Sequence, residues 1–551
     1  MDPRYVVELP HLGLWLYLVI LCLLAGVTYT IVRRDARRKH LPPRVKAWPL
    51  INHTFMQVKD DPTDMLKEWA REYGEVFRTR SGVTDFIWLN SREAVKELFD
   101  RRSAIYSSRQ PMPMALDAAT GGNRVTFMPY GKRWRAVRNI MHRTLTLKNA
   151  EAYSVIQDFE SKQLMVDLLE TPDDFYMHNR RYAASVIFQI TYGRRIPQWD
   201  CQDIKEIFEV LGRFVQVRRP GEWFVDVFPS LAESRFFDFI SSWRKVGRSF
   251  FEADNRVFRR LWQRMQADVA SGTVSNCFGK DFMEARKLNK YDESIDDVQA
   301  AWLCGGLVEA GSETTSAALN NFVKLLLSNP EAQRRAHEEL DAVVGSDRLP
   351  TFSDEPNLPY IRAMCKEILR MRPVNKFGVN HMNTEDDWYK GWFIPRGSVV
   401  MINMWAIQYS DTWEEPEKFE PARYLGWDLT AAESAVAEPS KRDHYTYGAG
   451  RRICAGIHVA EKSIFINVAR ILHGFDLTLA TDEFGRDIEL DFTTATLNKG
   501  SGTVSQPFPC KITPRSKKHA ALVRREWAEA EDRGLDAEIR TMFWGVSRTV
   551  Q

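Results

Sequence analysis

The sequence predicts a mostly helical α+β body with small peripheral sheets, behind one N-terminal membrane-spanning helix. Three observations carry this expectation. Residues 12–32 form an uncharged apolar run, long stretches between about 60 and 350 repeat apolar residues at helical spacing, and short β-like runs flank those stretches. With 551 residues, 27% charged and 44% hydrophobic, the chain has the composition of a folded globular protein with a large core. The balance of 76 Lys and Arg against 73 Asp and Glu argues against a polyanion binder, and no nucleic-acid partner is expected. Seven scattered cysteines without a CxxC pair argue against a disulfide framework.

Taken in order, residues 1–11 are a short N-terminus. Leu12–Val32 carries no charge over 21 residues, enough to cross a hydrocarbon core of about 30 Å. Trp15, Tyr17 and Tyr29 lie toward its ends, where aromatic rings favour the interface. A secretory signal would have a shorter apolar region and a small-residue cleavage site. Here Arg33, Arg34, Arg37, Arg38 and Lys39 follow at once, which favours an uncleaved anchor with the rest of the chain in the cytoplasm. Residues 33–50 read as a basic, proline-rich linker, with Leu41-Pro42-Pro43 and Trp48-Pro49.

The body is expected over residues 51–515, as one large domain. Asp64–Tyr73 reads as a helix, then Val76–Thr79 and Phe86–Leu89 as strands around a turn at Ser81-Gly82. Long helices are expected over Asp203–Val217, Ser241–Val269 and Val298–Leu327, and a strand at Val399–Asn403. The aromatic-rich segment Pro220–Pro229 suits either a loop that dips into a bilayer or a packed loop core. Residues 516–551 read as a charged tail carrying an exposed helix from Lys517.

The strongest local signal is Tyr447-Gly448-Ala449-Gly450-Arg451-Arg452-Ile453-Cys454-Ala455-Gly456, followed by an amphipathic run. Gly448, Gly450 and Gly456 allow tight turns and let a flat ligand approach the backbone. A helix begins just after Cys454, and its N-terminus favours a thiolate. That combination suits axial ligation of haem iron, although a free cysteine is most often an inert core residue. Glu367-Ile368-Leu369-Arg370 puts opposite charges at i and i+3, and Arg423 in Phe419–Tyr424 offers a second guanidinium for a buried cluster; alone, such a pair is an ordinary surface feature. Ala310-Gly311-Ser312-Glu313-Thr314-Thr315 interrupts an apolar helix with residues that are poor helix choices unless something uses them. A hydroxyl bonding back to the helix near Gly311 would open a groove there. Trp134-Arg135-Ala136-Val137-Arg138 sets an indole and a guanidinium one turn apart, suited to clamping carboxylates.

These four motifs in this order resemble the cytochrome P-450 haem-thiolate monooxygenases, over about residues 45 to 515. The resemblance implies a single haem domain of that fold, haem b as cofactor, and Cys454 as axial ligand of its iron. It implies that Glu367, Arg370 and Arg423 form a structural core, and that Trp134, Arg138, His381 and Arg452 hold the haem propionates. It also implies that Thr314 relays protons with Glu313 beside it. His381 equally suits a satisfied structural histidine. Two departures stand out. Tyr447 replaces the usual Phe and brings a hydroxyl that needs a partner, and Ala422 replaces the usual acid of the Pro-x-Arg motif.

The implied reaction is oxidation of a lipophilic small molecule by O₂. The resemblance supplies the electrons from NADPH through a membrane-bound NADPH-cytochrome P-450 reductase, since no nicotinamide or flavin fingerprint occurs in the chain. Arg451, Lys441, Arg442 and Lys462 are basic candidates for docking the reductase, each equally readable as solvated charge. The pocket-lining segments implied by the family include Asn375, Lys376 and Asn380, polar residues that point to a substrate with oxygen functions or that face elsewhere. Segments 450–460 and 384–405 look most like fungal members acting on secondary metabolites such as polyketides or terpenoids, at the endoplasmic reticulum membrane. Hydroxylation is the expected chemistry. Desaturation, phenol coupling or rearrangement on the same scaffold are alternatives, and a non-catalytic haem- or partner-binding membrane protein is a third.

Overall fold

A computed structural model describes residues 36–47, 53 and 62–535, apart from 83, 220, 275, 289–294, 494–495 and 498–501. The anchor expected at residues 12–32 lies outside the described residues. Among those described, no helix is long and apolar enough to cross a membrane.

The helices that position the site are α1 (Lys132–Thr144), α2 (Ser154–Glu170), α3 (Phe175–Tyr192), α4 (Gln202–Val217), α5 (Trp243–Ala270), α6 (Asp297–Leu327), α7 (Pro359–Met371), α8 (Ile457–Gly474) and α9 (Lys517–Arg533). Each expected long helix is present to within two residues at either end. Helix α6 starts where Asp296 caps it, its carboxylate accepting the Gln299 N–H at 2.7 Å. It runs 31 residues, about 46 Å at 1.5 Å per residue, and spans the body. Its flanks are buried against α3, α5 and α8, so apolar residues recur on nearly every face. Helix α7 opens on Pro359 and stops before Pro373, whose ring disfavours helix in the preceding residue.

The sheets are small and peripheral. Strands β1 (Val76–Ser81) and β2 (Thr84–Leu89) form a hairpin. β3 (His381–Met382) and β6 (Val399–Ile402) extend it in the order β1-β2-β6-β3, β2 and β6 running parallel. β4 (Asp387–Tyr389) pairs with β5 (Trp392–Ile394), and β7 (Phe475–Thr478) with β8 (Lys511–Pro514).

One expectation is corrected. The helix from Lys517 is not an exposed appendage, because α9 packs on α2 and α8. It buries His519, Leu522, Val523 and Ala530. Trp527 meets the Phe159 ring edge-on at 5.3 Å, and Glu526 lies 3.3 Å from Lys162. Its apolar face is narrow, and the surrounding charges hide it in the sequence.

Candidate active site

The loop from Tyr447 to Gly456 presents Cys454. Gly448 and Gly450 have φ of 76° and 63°, conformations that cost a side chain its Cβ clearance. The Gly448 N–H donates to the Tyr445 carbonyl and the Cys454 N–H to the Tyr447 carbonyl, each at 2.8 Å. A Cβ on Gly450 would stand 2.0 Å from the Phe99 carbonyl oxygen, so the loop presses backbone against backbone here. The Gly450 N–H completes the joint by donating to Asp100 at 2.8 Å.

Helix α8 begins immediately, with Gly456 as its N-cap. Burial pushes the Cys454 thiol up, while a hydrogen bond from the Gly456 N–H and the Arg138 charge pull it down. Cys454 is the exposed free cysteine among those described, and its exposure is into a cavity of about 670 Å³ that it lines. No Cβ contact would limit a side chain at Gly448 or Gly456 within 4 Å, so space stands open beside the thiol.

Gly306, Ala310, Glu313 and Thr314 of α6 line the same cavity. The Thr314 hydroxyl donates to the Ala310 carbonyl at 2.8 Å, as expected, but the helix stays continuous through the motif. Gly311 does not open a groove. A Cβ there would lie 2.7 Å from Ile187 Cγ1, so Gly311 lets α6 lie close on α3. The glycine with open space on the cavity side is Gly306. Burial raises the Glu313 carboxyl, with Arg180 opposing.

Three guanidiniums converge on the cavity edge near the thiol: Arg109, Arg138 and Arg452. Among the described residues none of them has a carboxylate within ion-pair distance. Arg452 lies over the Trp134 ring at 4.1 Å and donates to the Ser107 and Met128 carbonyls at 2.9 and 2.7 Å. Arg109 donates to the carbonyls of Thr126, Val379 and Asn380 at 2.7 to 2.9 Å. Burial and the Arg138 charge push Arg452 down to about 9; burial and Arg452 push Arg109 well below its usual range. Uncompensated buried cations at one edge call for anions there. Arg109 escaped the sequence reading because Ser108-Arg109-Gln110 carries no local pattern.

His381 has the bonded and stacked surroundings of the structural histidine that the sequence equally allowed, with the Arg109 and Arg452 charges nearby. It does not line the cavity, although Asn380 and Met382 do. Its Nδ1 bonds the Tyr106 carbonyl at 2.7 Å and its ring stacks on Phe99 at 4.2 Å, beneath the joint with Gly450.

Glu367 and Arg370 are fully buried. Both Glu367 oxygens accept from Arg370, at 2.7 and 2.9 Å, and one also accepts from Arg423 Nε at 3.0 Å. The expected three-residue cluster is therefore assembled. Ala422 leaves it intact, since the Glu420 backbone N–H adds a further bond to Glu367 at 3.0 Å.

A Cytochrome P-450 family model matches residues 42–501. The chain belongs to the cytochrome P-450 family. It is 43% identical over 520 residues to "Cytochrome P-450 monooxygenase verL" of Clonostachys rogersoniana, covering 94% of both chains. It is 37% identical to "Cytochrome P-450 monooxygenase virE" of Hypocrea virens, over 89% of this chain and 88% of that one. It is 35% identical to "Cytochrome P-450 monooxygenase pgmC" of Aspergillus terreus, over 92% of both. The enzyme is thus a cytochrome P-450 monooxygenase, and the family implies a haem-thiolate cofactor. The residues present fit that group: a thiol open to the cavity, glycines clearing its surroundings, and unpaired guanidiniums at one edge to meet two propionates.

Other details of this P-450 depart from the sequence reading. The Tyr447 hydroxyl is buried and finds no partner among the described residues. Arg442 is no docking candidate, because it is 3% exposed and braces the loop through the His444 and Gly448 carbonyls at 3.0 and 2.6 Å. Lys441 and Arg451 remain exposed. Lys376 is buried and is not part of the cavity lining, to which Asn375 and Asn380 do belong. Segment 221–229 divides: Trp223 and Val227 line the cavity, Val225 is core, and Phe224 is exposed.

Proposed function

We propose that this P-450 inserts one oxygen atom of O₂ into a lipophilic intermediate of fungal secondary metabolism, such as a polyketide or terpenoid, most simply as a hydroxylation. The observation that carries the reading is the cavity of about 670 Å³, which joins the Cys454 thiol, the Thr314 hydroxyl and a largely apolar wall in one chamber. Bound haem supplies the reductive activation of O₂, with the thiolate pushing electron density toward O–O cleavage.

The protein's own contributions follow from its side chains. Cys454 would ligate the iron, and Arg109, Arg138, Arg452 and Trp134 would hold the propionate edge. Thr314, its hydroxyl already anchored on Ala310, would hold a proton at Oγ1 at the cavity face. Glu313, whose carboxyl is raised by burial with the Arg180 charge opposing, would resupply it. Electrons would arrive from NADPH through NADPH-cytochrome P-450 reductase.

The expected site of action is the endoplasmic reticulum membrane, with residues 12–32 as the anchor. Phe236 and Phe239 are 72% and 88% exposed and Ile240 59%, on a short helix beyond segment 221–229. Such an apolar group suits a face laid against lipid, from which an apolar substrate enters. Comparing metabolites of a producing fungus with and without the gene tests the reading. A compound one oxygen atom lighter should accumulate in the deletion strain. An unchanged metabolite profile, from cells shown to express the protein, would overturn it.

A further inference from the structure

Beside the haem loop lies a second chamber, of about 40 Å³, which neither Cys454 nor Thr314 lines. Its wall includes Tyr447, where the family usually has Phe, and Glu461 in the second turn of α8. The Tyr447 ring packs on the cluster of Ala431 and Ile457 and lies 5.5 Å from the His444 ring, while its carbonyl accepts the Cys454 N–H. Its hydroxyl is buried, and no described residue bonds it. A buried hydroxyl left unmet is costly, so a group other than a side chain is expected to meet it.

Glu461 is short of partners too. One of its oxygens accepts the Ala431 N–H at 2.7 Å, and among the described residues no cation lies within ion-pair distance of it. The cations in the wall are engaged elsewhere. Lys366 donates to Asp443 at 2.8 Å and to the Leu429 carbonyl at 2.6 Å, and Arg362 donates to the Asp428 carbonyl at 2.7 Å. A water needs roughly 10–15 Å³ of such space and a few polar partners, so about 40 Å³ holds two or three. Tyr447, Glu461 and Thr430 supply polar groups around it.

We propose that water in this chamber bridges the Tyr447 hydroxyl to the Glu461 carboxyl, which makes Glu461 a positioning residue that sets the haem's reduction potential from behind the loop. The inference rests on Cys454 as the ligand of the iron. Loss of the Glu461 proton puts a negative charge beside the loop, which opposes reduction of the iron. Burial raises this carboxyl to about 7, with the Ala431 N–H and the Lys366 charge opposing, so the change falls near neutral pH. Most other groups facing Glu461 keep their charge there. Burial pushes His444 down to about 4 and pushes the Cys365 thiol and the Tyr447 hydroxyl up, and Asp443 is paired with Lys366. Glu355, which lines the chamber and which burial also raises, is the control.

The test is a spectroelectrochemical titration of the haem-loaded full-length enzyme from about pH 6 to 9, beside thermal melts at about pH 6. The wild-type potential should fall as pH rises through about 7. Glu461→Gln should lose that fall, and Glu355→Gln should keep it. Tyr447→Phe should move the fall up by about half a pH unit or more, because the carboxylate loses the donor chain that steadies its charge. Its melting temperature should drop by several degrees, as the hydroxyl's bond to water goes with it. A fall undiminished in Glu461→Gln or unmoved in Tyr447→Phe would overturn the inference, and so would a Tyr447→Phe that melts at or above the wild type. Each protein is first checked for the carbon-monoxide band of thiolate-ligated haem. A wild type lacking that band overturns the ligand reading and the inference together; a wild type with the band whose potential does not fall overturns the inference alone.

Discussion

Gln408 accepts the backbone N–H of Tyr445 at 2.8 Å, while its own amide donates to the Arg370 carbonyl at 2.6 Å. Arg370 Nη1 returns a bond to the Gln408 carbonyl at 2.7 Å. One buried side chain therefore ties the Glu367–Arg370–Arg423 cluster to the start of the loop that carries Cys454. The cluster's charges lie outside the cavity, and this link is how they bear on the site.

Gln408→Ala should loosen that loop. It leaves the Tyr445 N–H buried without its acceptor, at a cost of about 1–3 kcal/mol. The expected result is a melting temperature lower by several degrees and faster loss of haem to an acceptor protein. Unchanged haem retention would mean the loop holds its shape without the link.

The two loop glycines should differ sharply. Gly448→Ala meets open space and pays only for its positive φ, roughly 1–2 kcal/mol. Gly450→Ala also drives a methyl into the Phe99 carbonyl, so it should give little folded, haem-loaded protein. Thermal melts and haem content of the two variants side by side check this; similar losses would contradict it.

Thr314→Ala removes the hydroxyl at the cavity face but not the helix, since among the described residues that hydroxyl bonds the carbonyl one turn back. The fold and the carbon-monoxide spectrum should survive, while product formed per NADPH falls severalfold. The ratio of product to NADPH consumed is the measurement, and an unchanged ratio would count against the relay.

Glu461 gives a pH signature below the haem loop. Burial pushes its carboxyl up to about 7, against the usual value of 4.5. The folded protein then keeps a proton that the unfolded chain releases, so stability is fully present below about 4.5 and lost as pH rises through about 7. Glu461→Gln removes that loss. Its unfolding free energy relative to wild type, from denaturant melts, should climb between pH 4.5 and 7 and level off above, by an amount on the order of 2–3 kcal/mol. A pH-independent difference would contradict the burial argument.

Much of the site was legible in the sequence because its parts are local. Glu367 and Arg370 sit one helical turn apart, and the glycines around Cys454 announce a turn wherever they occur. The residues that sequence reading missed or misplaced act across the fold. Gly311 is required by Ile187 on another helix, Arg109 matters because of Arg452, and Gln408 because of Tyr445. None of those pairings has a spacing that could be read along the chain. Arg442 looked like surface charge for the same reason: its burial depends on three backbone carbonyls that only the folded loop brings to it.

The central claim is that Cys454 supplies the thiolate ligand of a haem held in this cavity. Difference spectra of the reduced, carbon-monoxide-bound protein test it most directly, on the wild type and on Cys454→Ala. The account predicts the red-shifted band of a thiolate-ligated haem in the wild type and its absence in the variant. A wild type that binds haem without that band, or a variant that keeps it, would contradict the account.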